Sequence, residues 1–398
     1  MFNASDESSW IELDADALRE NIATFRSVLA EPHSEHGAAR LGVVLKANAY
    51  GHGLTQVLSV VHPWVDIIHV ISVNDALLIR TQERENGWPQ RRVLVIGAIS
   101  EREFVLLAQA GVEVTISDSR AHMAVQQLKA LGLNVNAHIH VDTGLSREGF
   151  FPSDVANELS YLKEIDCPYT VKGVLSHFAN TEDVTDQHYA SYQLTEFDAG
   201  VNELCKLLNV SEKSLERHIA ASAATLVLPR SRADCVRVGI GLYGFWPSSE
   251  TRISARLVSS RVQELKPILA WRCHSQIVKR LSAGSYVGYG CSYRCERDMR
   301  IAVFPVGYFD GYPRLLSGRA HVLVNGHRAP VIGRVMMNHI VVDVSAMTGD
   351  ESQVLATLLG RDGTEVISSE MFASWCQTIH YEVVARLGSH LRRIVVEK

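Results

Sequence analysis

Short apolar runs alternate with longer segments of helical periodicity along the first 245 residues of the chain. The runs are rich in Val and Ile and almost continuously apolar, which is typical of parallel strands buried on both faces. Ser100 and Ser119 are expected N-caps, and Asp14 or Asp16 is expected to start the first helix. The apolar runs cover residues 42–48, 66–73, 92–98, 112–117, 136–144, 171–178, 217–222 and 235–244, and the helix-patterned segments cover 99–111, 119–132, 152–165 and 187–208.

This alternation predicts an α/β fold, a TIM-like (β/α)8 barrel over residues 14–248. A doubly wound open sheet has the same local pattern, but the count of eight strands favours the barrel. Residues 249–398 differ, because their apolar runs are separated by turns, and Asn325-Gly326 between two such runs is typical of a β-hairpin. We therefore expect a mainly β C-terminal domain, joined by the N-terminal strand 8–13.

Composition and charge limit the class of protein. The 398 residues favour two domains, 46% of them are hydrophobic, and the formal net charge of -5 argues against a nucleic-acid-binding protein. The N-terminus has no basic segment followed by an apolar one, so we expect a cytoplasmic protein. The seven cysteines form an odd set without a CxxC motif, which predicts reduced thiols and no metal site.

The strongest local signal is the segment VVLKANAYGHG at residues 43–53. It places Lys46 near the C-terminal end of the first barrel strand, where the active sites of barrel enzymes lie. Apolar neighbours would remove water from the amino group, lower its pKa and make it a better nucleophile towards a carbonyl. From the residues alone, a surface lysine that packs its stem on apolar neighbours is the other interpretation.

This segment resembles the attachment motif for pyridoxal 5′-phosphate (PLP) in the alanine racemase family. The family's fold is an eight-stranded α/β barrel followed by a β domain, and further segments resemble its motifs in the same order along nearly the whole chain. These segments cover residues 141–150, 175–183, 222–226, 236–244, 287–293, 306–314, 333–339 and 378–383.

The resemblance implies a homodimer that interconverts L- and D-alanine with two bases and thereby supplies D-alanine for the bacterial cell wall. Lys46 would carry PLP as a Schiff base and act as one base, and Tyr289 would act on the opposite face in the partner subunit's site. Arg237 would bond the pyridine nitrogen, with His177 as its support. Because a guanidinium keeps its own proton, the ring nitrogen would stay unprotonated and the electron sink shallow.

The resemblance also implies binding residues. Arg147 and Met337 would bind the substrate carboxylate, and Tyr308 and Arg314 would line the substrate-access region. The phosphate and its surroundings would be held by Tyr50, Ser222, Gly239, Ile240 and Tyr381.

Each of these side chains also has a purely structural interpretation. Tyr289 is also compatible with strand packing at an interface, His177 with a hydrogen-bonded core histidine, and Arg147 with a solvated surface residue. Ser222 fits an ordinary N-cap, which uses the same helix-terminus physics as phosphate binding. Only the joint match favours the catalytic interpretation.

Some positions depart from the family pattern around the substrate carboxylate. His140 precedes VDTG where many members have a carbamylated lysine, and a neutral imidazole brings no negative charge. We therefore expect another acceptor, such as chloride or a nearby carboxylate, to orient Arg147. The other departures are Ala221, Asn338, Ser146 and Glu148.

Three alternative functions remain open. The departures at His140 and Asn338 motivate a racemase of broader or different specificity, for example for serine. A related PLP decarboxylase would place an acidic residue, not Arg237, at the pyridine nitrogen. A PLP-carrier protein of the same barrel fold would generally lack Tyr289 and residues 249–398.

Overall fold

The computed structural model describes residues 7–31, 38–347 and 353–397, which form two compact units. The barrel unit comprises Leu18–Lys46 and Leu58–Lys266. The β unit comprises the chain up to Ala17, the segment Ala47–Val57 and the chain from Pro267 onward. The domain boundary at residue 248 stays a prediction, since internal contacts group residues 249–266 with the barrel unit.

The barrel unit contains eight parallel strands, which in the described residues follow the order β8-β7-β6-β5-β4-β3-β2-β9. The sheet nearly closes, because Arg237 N donates to Ala220 O at 2.9 Å between the ends of the sheet. All four residues of β3 are buried, as expected for a strand covered on both faces. The barrel prediction is confirmed over the open sheet. The strands of the barrel unit are β2 Arg40–Val44, β3 Ile67–Val70, β4 Arg92–Val95, β5 Glu113–Ile116, β6 Val135–His140, β7 Tyr169–Leu175, β8 Glu216–His218 and β9 Cys235–Val238. Strand β1 (Ser9–Asp14) belongs to the β unit.

Helices connect these strands. None of the helices in the described residues is both long and apolar enough to cross a membrane. The α-helices of this half of the chain are Ala15–Leu29, Leu54–Val61, Val73–Glu85, Glu101–Gln109, Arg120–Ala130, Val155–Glu158, His188–Leu208, Ser222–Val227 and Ser249–Val258. Short 3-10 helices cover His62–Trp64, Ser160–Lys163, Glu212–Ser214, Pro229–Ser231 and Ile240–Tyr243.

Two of the predicted helix starts are confirmed by their hydrogen bonds. Asp14 Oδ1 accepts from Ala17 N at 2.9 Å, so this carboxylate caps the first helix. Ser100 N and Oγ both donate to the Glu103 carboxylate, at 2.6 and 2.8 Å, in a capping box.

Two other local predictions are confirmed only in part. Ser119 lies at the N-cap position of its helix, as predicted, but it has a helical conformation and its side chain makes no capping hydrogen bond. The Asp118 carboxylate accepts from Arg120 N at 2.9 Å. The segment 152–165 forms a four-residue helix, Val155–Glu158, followed by a 3-10 turn rather than one long helix.

The β unit is built around a sheet of order β11-β14-β17-β16-β15-β18-β10-β1-β20, with β19 beside β18 and a separate β12–β13 hairpin. The N-terminal strand β1 pairs antiparallel with β10 and parallel with β20. Besides β1, the strands of the β unit are β10 Leu269–His274, β11 Ile277–Leu281, β12 Tyr286–Val287, β13 Tyr293–Arg294, β14 Met299–Phe304, β15 His321–Val324, β16 His327–Ile332, β17 Ile340–Asp343, β18 Leu355–Asp362, β19 Glu365–Ile367 and β20 Arg392–Val396. The α-helices of this unit are Ser369–Cys376 and His380–Ala385, and 3-10 turns cover Tyr289–Cys291 and Arg314–Leu316.

The predicted hairpin at Asn325-Gly326 is confirmed. Both residues have positive φ, 51° and 73°, as a two-residue hairpin turn of this type requires. The turn connects β15 to β16, with Val324 opposite His327. All seven cysteines lie among the described residues and are free thiols.

A left-handed turn follows Lys46 directly. The four residues from Ala47 to Tyr50 have φ between 52° and 55°, a region that non-glycine residues rarely adopt. Gly51 continues the turn at φ 80°, and a Cβ at this position would lie 1.9 Å from the backbone oxygen of Val384. This close approach fixes the turn against the helix His380–Ala385 within the β unit.

We predict that Gly51→Ala destabilises the protein more than Gly87→Ala does. Gly87 has a similar φ of 65° but no atom within 4 Å of an added Cβ, so it reports the backbone strain alone. That strain costs about 1–2 kcal/mol, and the clash at Gly51 should add about 1–3 kcal/mol. Urea denaturation measures both, and equal losses would show that the turn does not depend on this contact.

Candidate active site

Lys46 follows β2 at the C-terminal end of the strand, and its side chain is half-buried. It lines a cavity of about 460 Å³ within the barrel unit, together with a guanidinium and a carboxylate from the segment after β6, Arg147 and Glu148. The remaining wall is formed by Ile71, Ile96, Ala98, Ser117, Asp118, Arg120 and Gly149.

The electrostatics of this cavity favour a neutral amine. Burial is the largest cause that lowers the pKa of Lys46 from 10.5, and the nearby positive charge of Arg147, followed by that of Arg237, lowers it further. The Glu148 carboxylate acts in the opposite direction. At any given pH, Lys46 therefore has a larger unprotonated fraction than an exposed lysine.

Arg237 is a buried guanidinium on β9, with 3% of the residue exposed. Its Nη1 donates to His218 O at 2.7 Å and to His218 Nδ1 at 2.9 Å, and its Nη2 donates to Ser176 O. Burial lowers its pKa to about 10, so it remains protonated near neutral pH. In the described part of the chain no carboxylate pairs with it, and neutral acceptors alone replace its water.

His177 lies beside Arg237, as the resemblance led us to expect, but its contact with the guanidinium is longer than the one that His218 makes. Its Nδ1 is 3.4 Å from Arg237 Nη2, whereas His218 Nδ1 is 2.9 Å from Nη1. Sequence reasoning missed His218. The available signal was its position near the start of the apolar run 217–222, four residues before Ser222.

The carboxylate neighbour expected for Arg147 is Glu148, whose Oε1 is 3.2 Å from Arg147 Nε. His140 is buried, and this burial, together with the charges of Arg237 and Arg147, lowers its pKa to about 3. His140 therefore remains neutral at physiological pH. Its Nδ1 has no hydrogen-bond partner among the described residues.

Ser222 connects the helix that follows β8 to the loop that follows β9. Its Oγ accepts from Gly239 N at 3.0 Å and from Gly241 N at 3.2 Å, beside the buried Ile240. The serine hydroxyl keeps its own proton to donate, so this corner fits an anionic group such as a phosphate.

The remaining residues singled out from the sequence lie in the β unit. Tyr50 is in the left-handed turn, and burial raises its pKa to about 12. Tyr381 lies in the helix His380–Ala385, whose Val384 meets that turn at Gly51. Tyr289 lies between β12 and β13 and is 72% exposed.

Met337 and Tyr308 belong to two loops that are bonded to each other. Tyr308 N donates to Met336 O at 3.1 Å, and an added Cβ on Gly307 would lie 2.2 Å from that same oxygen, which explains the glycine. Tyr308 also lines a cavity of about 400 Å³ together with Arg314.

The structure thus gathers one group of the sequence-derived residues in the barrel unit and another in the β unit. The barrel unit contains Lys46, His140, Arg147, His177, Ser222, Arg237, Gly239 and Ile240, and the β unit contains Tyr50, Tyr289, Tyr308, Arg314, Met337 and Tyr381.

Comparison with known families gives matches over most of the chain. The family model for the N-terminal domain of alanine racemase matches residues 13–247, and that for its C-terminal domain matches residues 268–395.

Individual proteins give the same result. An alanine racemase of Leptospira interrogans is 35% identical over 391 residues, which cover 98% of this chain and 96% of the relative. An alanine racemase of Methylacidiphilum infernorum is 32% identical over 393 residues, covering 97% and 92%. The crystal structure of an alanine racemase from Bacillus anthracis with bound L-Ala-P superposes with a TM-score of 0.86 at 27% identity, and covers 100% of this chain and 96% of that one.

We predict opposite effects of two neighbouring substitutions on Lys46. Arg147→Gln should raise the pKa of Lys46, because a nearby positive charge is lost, and Glu148→Gln should lower it, because a compensating negative charge is lost. NMR titration of labelled lysine in the protein without cofactor measures both shifts.

The matched control is Arg120→Gln. Arg120 lines the same cavity but is not among the charges that act on Lys46, so its removal should leave the titration unchanged. Shifts of the same sign in the Arg147 and Glu148 variants would contradict this electrostatic account.

Proposed function

Because this chain belongs to the alanine racemase family, we propose that it interconverts L- and D-alanine with PLP as its cofactor. The observation that carries the proposal is the grouping, in the barrel unit, of a partly desolvated Lys46 with Arg147 and with Arg237, which pairs with no carboxylate of the described residues. The proposal of broader or serine specificity is not favoured, since the relatives described above are alanine racemases.

The residues of the barrel unit fit PLP by their chemistry. Lys46 offers a nucleophilic amine for the aldehyde, Arg237 offers its Nε–H to the ring nitrogen, and Ser222, whose Oγ accepts from Gly239 N, offers its hydroxyl proton to the phosphate. When bound, PLP supplies the electron sink that allows Cα to lose its proton.

Lys46 would move the proton on one face of the substrate. Its lowered pKa increases the fraction in which Nζ carries a lone pair, so that Nζ can take a proton from Cα and later return one. A lysine with an ordinary pKa would be almost wholly protonated near neutral pH and unable to accept a proton.

Arg237 would hold the ring nitrogen without protonating it. Although burial lowers its pKa to about 10, the guanidinium keeps its proton near neutral pH and acts as a hydrogen-bond donor. A weaker positive charge on the ring limits the lifetime of negative charge at Cα, which disfavours side reactions such as transamination.

Tyr289 would serve as the second base, on the opposite face. Its 72% exposure leaves the phenol available to a second copy of the chain. We therefore propose a homodimer in which the partner subunit's Tyr289 completes each site. Arg147 would bind the substrate carboxylate, with Glu148 holding its Nε. The roles of Tyr50, Tyr308, Arg314, Met337 and Tyr381 stay predictions.

The direct test is chiral chromatography of L-alanine and a panel that includes L-serine. We expect D-alanine as the main product and a loss of about 100- to 10,000-fold in Lys46→Ala, since a base and the point of attachment are both removed. Sodium borohydride should fix the cofactor to Lys46 in the wild type. Faster conversion of another amino acid, or labelling of another lysine, would contradict the proposal.

The shared site is tested by mixing two inactive variants. Lys46→Ala and Tyr289→Phe should each be inactive alone, and subunit exchange between them should restore activity, because a heterodimer contains at most one site with both bases. Each variant exchanged with itself is the control. If exchange is complete and no activity returns, the two bases do not come from different subunits.

A further inference from the structure

A row of buried polar side chains crosses the interior of the barrel unit. It runs from Arg237 on β9 through His218 on β8 and His138 on β6 to Glu113 on β5, and we refer to these four residues as the polar row. The two histidines are 0% exposed and Glu113 is 7% exposed. The interior of a barrel is usually filled by apolar side chains, so four polar side chains in a row are unusual there and suggest a functional role.

The contacts along the polar row are continuous. Arg237 Nη1 is 2.9 Å from His218 Nδ1, His218 Nε2 is 2.8 Å from His138 Nδ1, and His138 Nε2 is 3.0 Å from Glu113 Oε2. Glu113 in turn accepts from Arg92 Nε and Nη2, both at 2.8 Å.

Only one arrangement of protons satisfies these contacts. Arg237 can only donate, so Nδ1 of His218 must be the acceptor, and the ring proton of His218 lies on Nε2. That proton points at His138 Nδ1, which must accept, so the proton of His138 lies on Nε2 and points at Glu113. A carboxylate accepts at this end, and its pairing with Arg92 contributes to a pKa of about 2 for Glu113.

Neighbouring residues hold both rings in this orientation. His69 stacks on His218 with the ring centroids 5.9 Å apart. An added Cβ at Gly42 would lie 2.4 Å from His69 Nε2, and one at Gly173 would lie 2.5 Å from His138 Nδ1. The glycines therefore provide the space that the imidazoles occupy, and the rings have little freedom to turn.

We propose that Glu113 and His138 are positioning residues for the reaction, which fix the proton of His218 on Nε2 and thereby hold the Arg237 guanidinium in a single orientation. This proposal rests on the proposed function, in which Arg237 holds the ring nitrogen of PLP. Among the described residues, the polar row contacts Arg237 at Nη1, through His218, and Nη2 bonds to Ser176 O, His177 Nδ1 and Ile219 O. No described residue accepts from Nε, which stays available to another acceptor.

Loss of the Glu113 carboxylate would remove the acceptor that fixes the proton positions on His138 and His218. The proton of His138 could then move to Nδ1, and His218 would have to accept at Nε2 and carry its own proton on Nδ1. Two N–H groups, from His218 and Arg237, would face each other, and the guanidinium would have to turn away.

The first experiment reads the protons directly in the PLP-loaded wild type. In the full chain with 15N-labelled histidine, and with resonances assigned by single substitutions, we expect His218 and His138 to be neutral with the proton on Nε2. A proton on Nδ1 of His218 would overturn the proposal. This reading does not depend on turnover, so it remains valid if the protein racemises no alanine and the proposed function fails.

The second experiment compares Glu113→Leu with Glu216→Gln. Glu216 is also buried and also pairs with Arg92, at 2.8 Å, but belongs to no contact of the polar row. We expect Glu113→Leu to mix the histidine tautomers, shift the absorption maximum of bound PLP, and lower kcat by about 10- to 100-fold with a smaller change in KM. Glu216→Gln should retain the wild-type tautomers, absorption maximum and kcat.

A milder variant covers the case in which Glu113→Leu does not fold. The amide of Glu113→Gln presents either its oxygen or its NH2 to His138, so both tautomers should be populated, with a smaller loss of kcat. In any folded variant, kcat and the absorption maximum should follow the His218 tautomer. A variant that loses the tautomer but keeps kcat, or keeps the tautomer but loses kcat, would overturn the proposal.

Discussion

Arg237 keeps a guanidinium inside the barrel unit with 3% of the residue exposed, and a buried charge is strongly unfavourable unless polar groups replace its water. Backbone oxygens of Ser176 and His218 and the Nδ1 atom of His218 provide that replacement. The charge then acts on its surroundings. Together with burial, it lowers the pKa values of His140 and His177 to about 3 and that of His218 well below 6.5.

Burial and this cation together keep the nearby histidines neutral. Neutral imidazoles have a lone pair to offer, so His218 is able to accept from Arg237 and to donate to His138. The carboxylate of the polar row, Glu113, lies at its far end, outside direct contact with the Arg237 guanidinium and paired with Arg92. At the cavity, Arg147 lies beside the partly desolvated amine of Lys46, and its Nε is 3.2 Å from the Glu148 carboxylate.

Much of the barrel fold was predictable because its signals are local. Two-sided burial leaves continuous apolar runs, which identified the eight strands, and the capping residues Asp14 and Ser100 lie within three residues of the groups they bind. Ser119 lies at the predicted N-cap position but makes no side-chain capping bond, and the neighbouring Asp118 carboxylate accepts from Arg120 N. The segment 152–165 has helical spacing but forms only one short helix before a 3-10 turn.

The sequence by itself determined the strand order in the chain, the hairpin at Asn325-Gly326 and the candidate residues Lys46 and Arg237, since each depends on adjacent residues or on a motif. Tertiary structure decided the polar row, because His218, His138 and Glu113 meet only through the register of strands that are far apart in the chain. It also decided that Gly42 and Gly173 make room for histidines. Hydrogen bonds between side chains depend on distances of a few tenths of an ångström, which a pattern of residue types does not specify.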